Sequence, residues 1–259
     1  MKYVKVWWIF AINAIQTQMM VRWALLLFLL GKILRFGIFL FFIIILVDKT
    51  KALAGYSLDQ TIFFFLTFNL IDMLAQLLFR EVYRFRGTVV NGNFDFTLIK
   101  PFNPLFRSLT SGPDLLDFIT LIPLLGAIVY FINRLQIIDP LGIIFYILLV
   151  AAGFTIALSF HILVLSLAIL TTEIDNVLWM YRDITSMGRF PVDIYREPIR
   201  GFLTFAIPVG VMMSFPVKAL LGILSPVLIL YAIIFSLIFF WVSLKTWNFA
   251  LKQYSSASS

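Results

Sequence analysis

Two ionisable residues lie inside long apolar stretches of the sequence: Asp72 in FNLIDMLAQ and His161 in ALSFHILVL. Ionisable side chains within membrane-spanning segments are costly, and they usually mark a pathway for an ion, a proton or a substrate. A carboxylate and an imidazole that met across two helices could relay protons, so a proton-coupled carrier is one hypothesis. His161 has no acidic partner along its own stretch, which favours a neutral histidine bonded to a neighbouring helix. We expect Asp72 to have a structural role or to face a cavity.

Two cations, Lys32 and Arg35, lie in the first apolar stretch. Each would cost about 2.5–3.5 kcal/mol at the bilayer centre unless it faced protein or reached the surface. Two interpretations place them differently. Either a helix from Arg22 to Val47 crosses the membrane, or an interfacial helix extends to residue 30 and a shorter span runs from Lys32 to Val47.

The sequence contains none of the motifs G-x-x-x-x-G-K-[ST], H-E-x-x-H, G-x-S-x-G or G-x-G-x-x-G. The first of these cradles nucleotide phosphates, and the second binds zinc in metalloproteases. The chain also has no cysteine, which excludes disulfides and thiolate metal sites. We therefore expect neither a catalytic residue nor a bound cofactor or metal in this chain.

Composition determines the elements that must carry these residues. Of 259 residues, 62% are hydrophobic and 13% are charged, and the mean hydropathy is +1.02. Soluble domains are roughly half apolar and about a quarter charged, and a membrane-spanning helix needs about 20 apolar residues. The sequence therefore predicts an all-α integral membrane protein with six transmembrane helices in one domain, residues 1–259. The predicted spans are Val21–Val47, Thr61–Phe79, Leu115–Asn133, Leu141–Leu170, Gly201–Val217 and Val227–Ala250.

Lysine and arginine are distributed unevenly over the predicted loops. Fourteen lie in the two termini and in the loops after spans two and four, whereas four lie in the remaining loops. Because positively charged loops stay in the cytoplasm, both termini and two large loops, residues 80–113 and 171–200, are predicted to be cytoplasmic. The net charge of +7 then belongs to these loops, so the expected partner is membrane lipid and not nucleic acid.

Two predicted elements depart from plain membrane-spanning helices. Residues 1–21 place Trp7 and Trp8 beside lysines, as in a helix that lies in the membrane interface. Span five contains Pro208 and Pro216, and interior proline breaks the hydrogen-bond ladder of a helix. Broken backbone at membrane depth persists only against protein or water. We therefore expect span five to end near Pro216, and a re-entrant segment on the outer side to follow it before span six.

The two large predicted loops contain patterns of their own. In residues 91–109, NGNFDFTLIKPFNPLFRSL, Asn103 is placed to cap a short helix that begins at Pro104. Exposed apolar residues on such a helix either cover the membrane surface or bind a partner. In residues 172–190 the spacing i, i+3, i+4, i+7 predicts an amphipathic helix along the inner surface or against a partner. The apolar face of that helix comprises Ile174, Val177, Leu178, Tyr181 and Ile184.

These same loops resemble two signatures of type-2 ABC-transporter permeases, the six-span membrane subunits of ABC exporters. VVNGNFDFTLIKPFNPLF is similar to the cytoplasmic signature, through Gly92, Phe94, Asp95, Leu98, Ile99, Lys100, Pro101, Pro104 and Leu105. GRFPVDIYREPIRGFLTFAIPVGVMMSFPVKAL is similar to the second, through Arg189, Phe190, Pro191, Ile194, Tyr195, Ile207, Pro208 and Pro216. The likeness covers nearly the whole chain in consistent order.

The resemblance implies a bacterial cytoplasmic membrane protein that works with other chains. ABC ATPase subunits, expected as a homodimer, would bind ATP and Mg and dock on a cytoplasmic coupling helix. A second permease subunit would complete the pathway, with a heterodimer favoured over a homodimer. Lys32 and Arg35 are less expected in the first span of the family. The residues expected to couple this chain to the ATPase are Leu98, Lys100, Phe102, Leu105 and Phe106.

Overall fold

The computed structural model describes residues 2–136, 139–171 and 175–255, and these residues form helices without a β-strand. The all-α prediction is confirmed. In chain order the α-helices of the described residues are α1 (Lys2–Met19), α2 (Arg22–Thr50), α3 (Leu58–Phe79), α4 (Val82–Val90), α5 (Asp95–Leu98), α6 (Pro104–Thr110), α7 (Leu115–Arg134), α8 (Pro140–Thr171), α9 (Asp175–Ser186), α10 (Ile199–Gly201), α11 (Phe215–Leu220) and α12 (Pro226–Gln253).

Five long helices carry the hydropathy of the chain. α2, α3, α7, α8 and α12 are long and apolar enough to cross a membrane, and a bent pair that includes α11 is a sixth candidate among the described residues. The bounds of these five helices lie within three residues of the predicted spans. An integral membrane protein with five or six spans is therefore confirmed.

The first apolar stretch forms one unbroken helix. α2 has 29 residues, which measure about 43 Å at 1.5 Å per residue, so the first of the two interpretations of this stretch is correct. α1 is a separate helix that ends at Met19. Near its end the amide of Gln18 donates to the carbonyl of Pro113 at 3.1 Å and accepts from the N–H of Leu115 at 2.9 Å. The start of α2 therefore lies beside the start of α7.

The two ends of the helix bundle differ in what they carry. We call the end with α4, α5 and α6 the α6 end, and the opposite end the α11 end. α3 begins at the α11 end, where Ser57 and Gln60 form a reciprocal capping box. α2 and α7 both begin at the α6 end, so α3 runs opposite to them. The predicted cap of α6 is confirmed, because Asn103 Oδ1 accepts from the N–H groups of Leu105 at 2.8 Å and Phe106 at 3.3 Å.

The predicted fifth span is broken in its middle. Ile199–Ala206 and Gly210–Leu220 meet at an angle of 81°, and Pro208, which has no N–H for a helical hydrogen bond, lies in the break. The second arm ends at Leu220, three residues after the predicted end of the span at Val217, and Pro216 lies in the first turn of α11. The prediction differs in another respect, since the bend lies within the predicted span and not in a segment that follows Pro216.

Contacts favour a re-entrant loop over a broken span for this bent pair. Just before the pair, Asp193 accepts a hydrogen bond from the hydroxyl of Tyr56 at 2.9 Å, at the α11 end. Asp193 also pairs with Lys218, near the far end of the pair, at 2.7 Å. The pair therefore enters and leaves at the α11 end. Gly153 admits it deeply, because a Cβ there would lie 2.6 Å from the carbonyl oxygen of Met212.

The segment from Arg182, in the second half of α9, to Asp193 crosses the bundle beside α3. The guanidinium of Arg182 lies 5.8 Å from the ring centre of Tyr83 near the α6 end, whereas Asp193 reaches the α11 end. Between them the ring of Phe190 packs 5.4 Å from that of Phe39. The prediction treated residues 171–200 as a loop, but the backbone before Asp193 lies against protein, as the hydrogen bond of 3.1 Å from the N–H of Val192 to Ser214 Oγ illustrates. Arg196 and Arg200, beyond Asp193, are exposed.

The amphipathic pattern of α9 is present, and α8 of the same chain covers its apolar face. Leu178 is buried and Tyr181 is half-buried, with the ring of Tyr181 5.1 Å from that of Phe160. Trp179 faces outward. The expected first residue of this face, Ile174, lies outside the described residues. The pattern therefore reports internal packing, not the membrane surface or a second chain as expected.

Candidate functional site

A cavity of about 560 Å³ lies between α2, α3, α7 and the segment that follows α9. Its polar wall is basic, with five cationic and two anionic side chains. Among these are three of the four ionisable residues singled out from the sequence, Lys32, Arg35 and Asp72. The charged lining residues are Lys32, Arg35, Arg80, Arg182, Arg189, Asp72 and Asp117.

Two of the cations are neutralised by carboxylates at the start of α7. Lys32 pairs with Asp117, and Arg80 pairs with Asp114 and lies 3.7 Å from Asp117. Asp114 also caps α7 by accepting from the N–H of Leu116 at 2.9 Å. Lys32 is therefore tolerated in a membrane helix because it faces a partner within the protein.

The other three cations share one carboxylate. No carboxylate of the described residues forms an ion pair within 4.0 Å of Arg35, Arg182 or Arg189. The remaining carboxylate that lines the cavity with them is Asp72. Arg189 lies over two rings instead, 5.4 Å from Phe39 and 5.6 Å from Phe68. Such cation–π contacts hold a guanidinium in place without neutralising it.

His161 lies outside this cavity. Its Nδ1 is 2.8 Å from the carbonyl oxygen of Ala157, one turn earlier in the same helix, and its Nε2 has no hydrogen-bond partner among the described residues. Its ring packs 5.2 Å from Phe79 and 5.4 Å from Tyr181. The expected bond to a neighbouring helix is therefore wrong, since the nearest acceptor belongs to α8 itself. The described residues show no hydrogen bond or ion pair between His161 and Asp72.

The α5–α6 loop exposes two of the five residues expected to couple to an ATPase. Leu98 and Lys100 are exposed, but Phe102, Leu105 and Phe106 are half-buried, and the Phe106 ring packs 5.0 Å from that of Tyr3 in α1. Sequence reasoning did not include Phe96 and Ile99 among the coupling residues. Their side chains are 61% and 78% exposed.

The loop is fixed to α12 through its inward-facing side. Phe94 is fully buried, with its ring 5.1 Å from Tyr254 and 6.3 Å from Trp247. The hydroxyl of Tyr254 donates to Asp95 at 2.9 Å, and burial together with this bond raises the pKa of Tyr254 to about 12. The hydrogen bond is therefore intact throughout the physiological pH range. Phe94 points inward, so Phe96, two residues later in a helical turn, points outward. The two phenylalanines can be told apart only when the helical register of α5 is known.

The amino-acid sequence matches a known family over most of its length. A sequence model described as ABC-2 family transporter protein matches residues 33–258. The chain belongs to this ABC-2 family. It is therefore the membrane component of an ABC transporter, a multi-pass protein that associates with ABC ATPase subunits. No curated protein and no solved structure matches the chain significantly.

The ABC-2 match includes the whole basic cavity except its edge at Lys32, because the matched residues begin at Ile33. Sequence reasoning placed Arg182 and Arg189 in a loop and did not connect them with Arg35. The amphipathic spacing of α9 was the signal that this segment packs against the protein. Asp117 and Arg80, each next to a predicted helix end, carried no signal that they face Lys32.

Proposed function

We propose that this ABC-2 chain forms half of the translocation pathway of an ATP-driven exporter in the bacterial cytoplasmic membrane. Both termini and the α6 end would face the cytoplasm, where a homodimer of separate ATPase subunits would bind ATP and Mg. The observation that best supports this proposal is the α5–α6 loop. The loop presents exposed apolar side chains, and its inward-facing side is fixed to α12. Exposed apolar groups on a rigid support are what a docking surface requires.

The loop is joined to the cavity by continuous structure. It connects through α4 to α3, whose residues Asp72 and Gln76 line the cavity, and through Phe94 to α12. Closure of the ATPase pair would push the loop and tilt α3 and α12. The cavity wall would then change shape while the ATP itself stayed on the partner, which accords with the missing phosphate-binding motif.

A second permease would complete the pathway, and α2 supports this part of the proposal. Ile43 and Val47 are its buried residues, whereas Arg35, which lines the cavity, is exposed. The cavity is therefore incomplete on the side of α2. We infer that a second permease, by preference a different chain, covers this side.

Reconstitution tests the exporter. The chain alone should neither bind nor hydrolyse ATP, and the chain with its ATPase should hydrolyse ATP in proteoliposomes and move substrate outward. ATP binding by a preparation that contains only this chain would contradict the assignment of ATP to the partner. Failure of every co-expressed ABC ATPase to co-purify would contradict the coupling. The alternative, a proton-coupled carrier, requires uptake or efflux that follows a pH gradient without ATP and that Asp72→Asn abolishes.

A further inference from the structure

The basic cavity is charged at one end and apolar at the other, and all three helices that line it agree. α2 and α7 begin at the α6 end and α3 ends there, so equivalent depths can be compared. On each helix an ionic residue lies nearer the α6 end than a phenylalanine or leucine of the same wall, although Ile33 and Met73 lie among the ionic residues. The pairs are Arg35 and Phe39 on α2, Asp72 and Phe65 on α3, and Asp117 and Leu124 on α7.

The ionic end has more positive charge than its own carboxylates balance. Lys32 and Arg80 are occupied by ion pairs at the start of α7. Arg35 and Arg182 line the cavity with one further carboxylate, Asp72, and Arg189 adds a third cation over Phe39 and Phe68. Guanidinium groups present a planar fork that binds phosphate or carboxylate through two hydrogen bonds at once. Such a surplus inside an incompletely closed cavity favours an anion as the missing partner.

We propose that the cavity binds an amphiphile with an anionic head group and an apolar tail. Arg35 and Arg182 would bind the head, and Phe65 and Leu124, which also line the cavity, would contact the tail. A volume of about 560 Å³ suits one such molecule, since small-molecule pockets measure roughly 300–1,000 Å³. The inference rests on the proposed function in one respect: an exporter would carry this molecule as its substrate. The same chemistry could also come from an anionic phospholipid of the bilayer.

Equilibrium binding of radiolabelled dodecyl phosphate to the full chain in phosphatidylcholine nanodiscs tests the proposal. Binding should saturate, and Arg35→Gln should weaken it by roughly tenfold or more, the effect of one lost charge-assisted hydrogen bond. Arg35→Lys should fall between, because it keeps the charge without the fork. Arg22→Gln is the matched control, since Arg22 lies on the same helix outside the cavity and should bind like the wild type.

Competition with labelled dodecyl phosphate shows which part of the ligand the cavity recognises. Unlabelled dodecyltrimethylammonium and dodecyl maltoside have the same tail and should not compete, and inorganic phosphate without a tail should compete only at far higher concentration. Competition by phosphatidylglycerol supports the same chemistry with a bilayer lipid as its source. Stimulation of ATP hydrolysis by dodecyl phosphate, in complex with the ATPase, supports a transported amphiphile.

The proposal is overturned if binding does not saturate, if Arg35→Gln binds as well as Arg22→Gln, or if the cationic amphiphile competes equally. Arg35 is exposed and has no ion pair among the described residues, so its replacement leaves no carboxylate unpaired; thermal unfolding of both variants verifies this. Because binding is measured without the ATPase, its failure leaves the exporter assignment standing, and failure of ATP-driven export leaves the binding result standing.

Discussion

α2 and α3 are both long and apolar, yet they bury their side chains to very different extents. α3 has buried residues along almost its whole length, from Thr61 to Phe79, whereas α2 buries Ile43 and Val47. Hydropathy does not separate the two helices, because lipid tails are as apolar as a protein core. The positions of their polar residues do distinguish the two helices. On α2, Lys32 and Arg35 mark the face that borders the cavity. On α3, the polar residues either line the cavity or are packed inside the protein.

The largest effect is expected from side-specific labelling of the two bundle ends, which is all or none. The chain has no cysteine, so single replacements are unambiguous. Thr50→Cys, at the end of α2, should react with an impermeant maleimide from outside, and Gly87→Cys, in α4, only after permeabilisation. Gly87 has open space around it, so the replacement is tolerated.

Arg196→Cys separates the re-entrant architecture from the six-span pattern of the sequence. The re-entrant loop puts it on the side of Thr50, three residues after Asp193. Labelling together with Gly87→Cys would refute the crossing of the bundle by the segment after α9.

Matched phenylalanine truncations measure the difference between α2 and α3 directly. Phe63 on α3 is fully buried, and Phe41 on α2 is 63% exposed. Phe63→Ala should lower the free energy of unfolding in micelles by about 3–5 kcal/mol through the cavity it leaves, and Phe41→Ala by less than about 0.5 kcal/mol. Equal losses would mean that α2 packs against protein in the isolated chain. The Phe41→Ala chain could have the stability of the wild type in isolation and still fail to bind the second permease. That result would sharpen the comparison, because it would show that α2 forms the interface.

A smaller effect is expected at the α5–α6 loop, where two double variants compare exposed and half-buried residues. Phe96→Ala with Ile99→Ala should weaken ATPase binding, since central apolar anchors often contribute more than about 2 kcal/mol each. Phe102→Ala with Phe106→Ala should also uncouple ATP hydrolysis from transport, through lost packing on α1. Pull-down and hydrolysis assays measure both. Normal transport by both variants with the ATPase bound would reduce the loop to a cover over the membrane surface.

The smallest effect is expected from charge on the same loop. Lys100 is exposed, so a pair with an acidic group on the ATPase contributes only about 0–1 kcal/mol. Lys100→Gln should therefore reduce ATPase affinity less than either double variant does, measured in the same pull-down. A larger loss than that of Phe96→Ala with Ile99→Ala would assign the interface to electrostatics.

Local rules predicted what depends on neighbouring residues. The bounds of five spans followed from apolar length, and the Asn103 cap followed from a side chain two and three residues from its partners. The Lys32–Asp117 pair could not be predicted, since it joins positions 85 residues apart. The crossing segment from Arg182 to Asp193 could not either. It lacks the apolar run that lipid demands, because protein surrounds it and meets its polar groups.

The structure changes how the basic residues are divided between the two ends of the bundle, but the same end keeps the larger number. Arg189 belongs to the cavity, and Arg196 and Arg200 follow Asp193 at the α11 end. Removing these three from the fourteen and adding two to the four leaves eleven basic residues against six. The α6 end remains the more positive one, so its cytoplasmic placement stays the prediction.

The contact of Asp193 with both Tyr56 and Lys218 limits how many parts of this protein can move independently. It fastens the re-entrant loop to the start of α3, while Phe94 and Tyr254 fasten the α5–α6 loop to α12 at the other end. Gln18 and Lys32 fasten α1 and α2 to the start of α7 at the α6 end. Towards the α11 end, α2 is held by the apolar packing of Ile43 and Val47. A seam between α2 and the rest of the bundle would therefore pivot at the α6 end and pass through the basic cavity. Opening of such a seam is a hinge motion with few degrees of freedom, on the microsecond-to-millisecond timescale of domain movements, and it would expose head group and tail of a bound molecule in a single step.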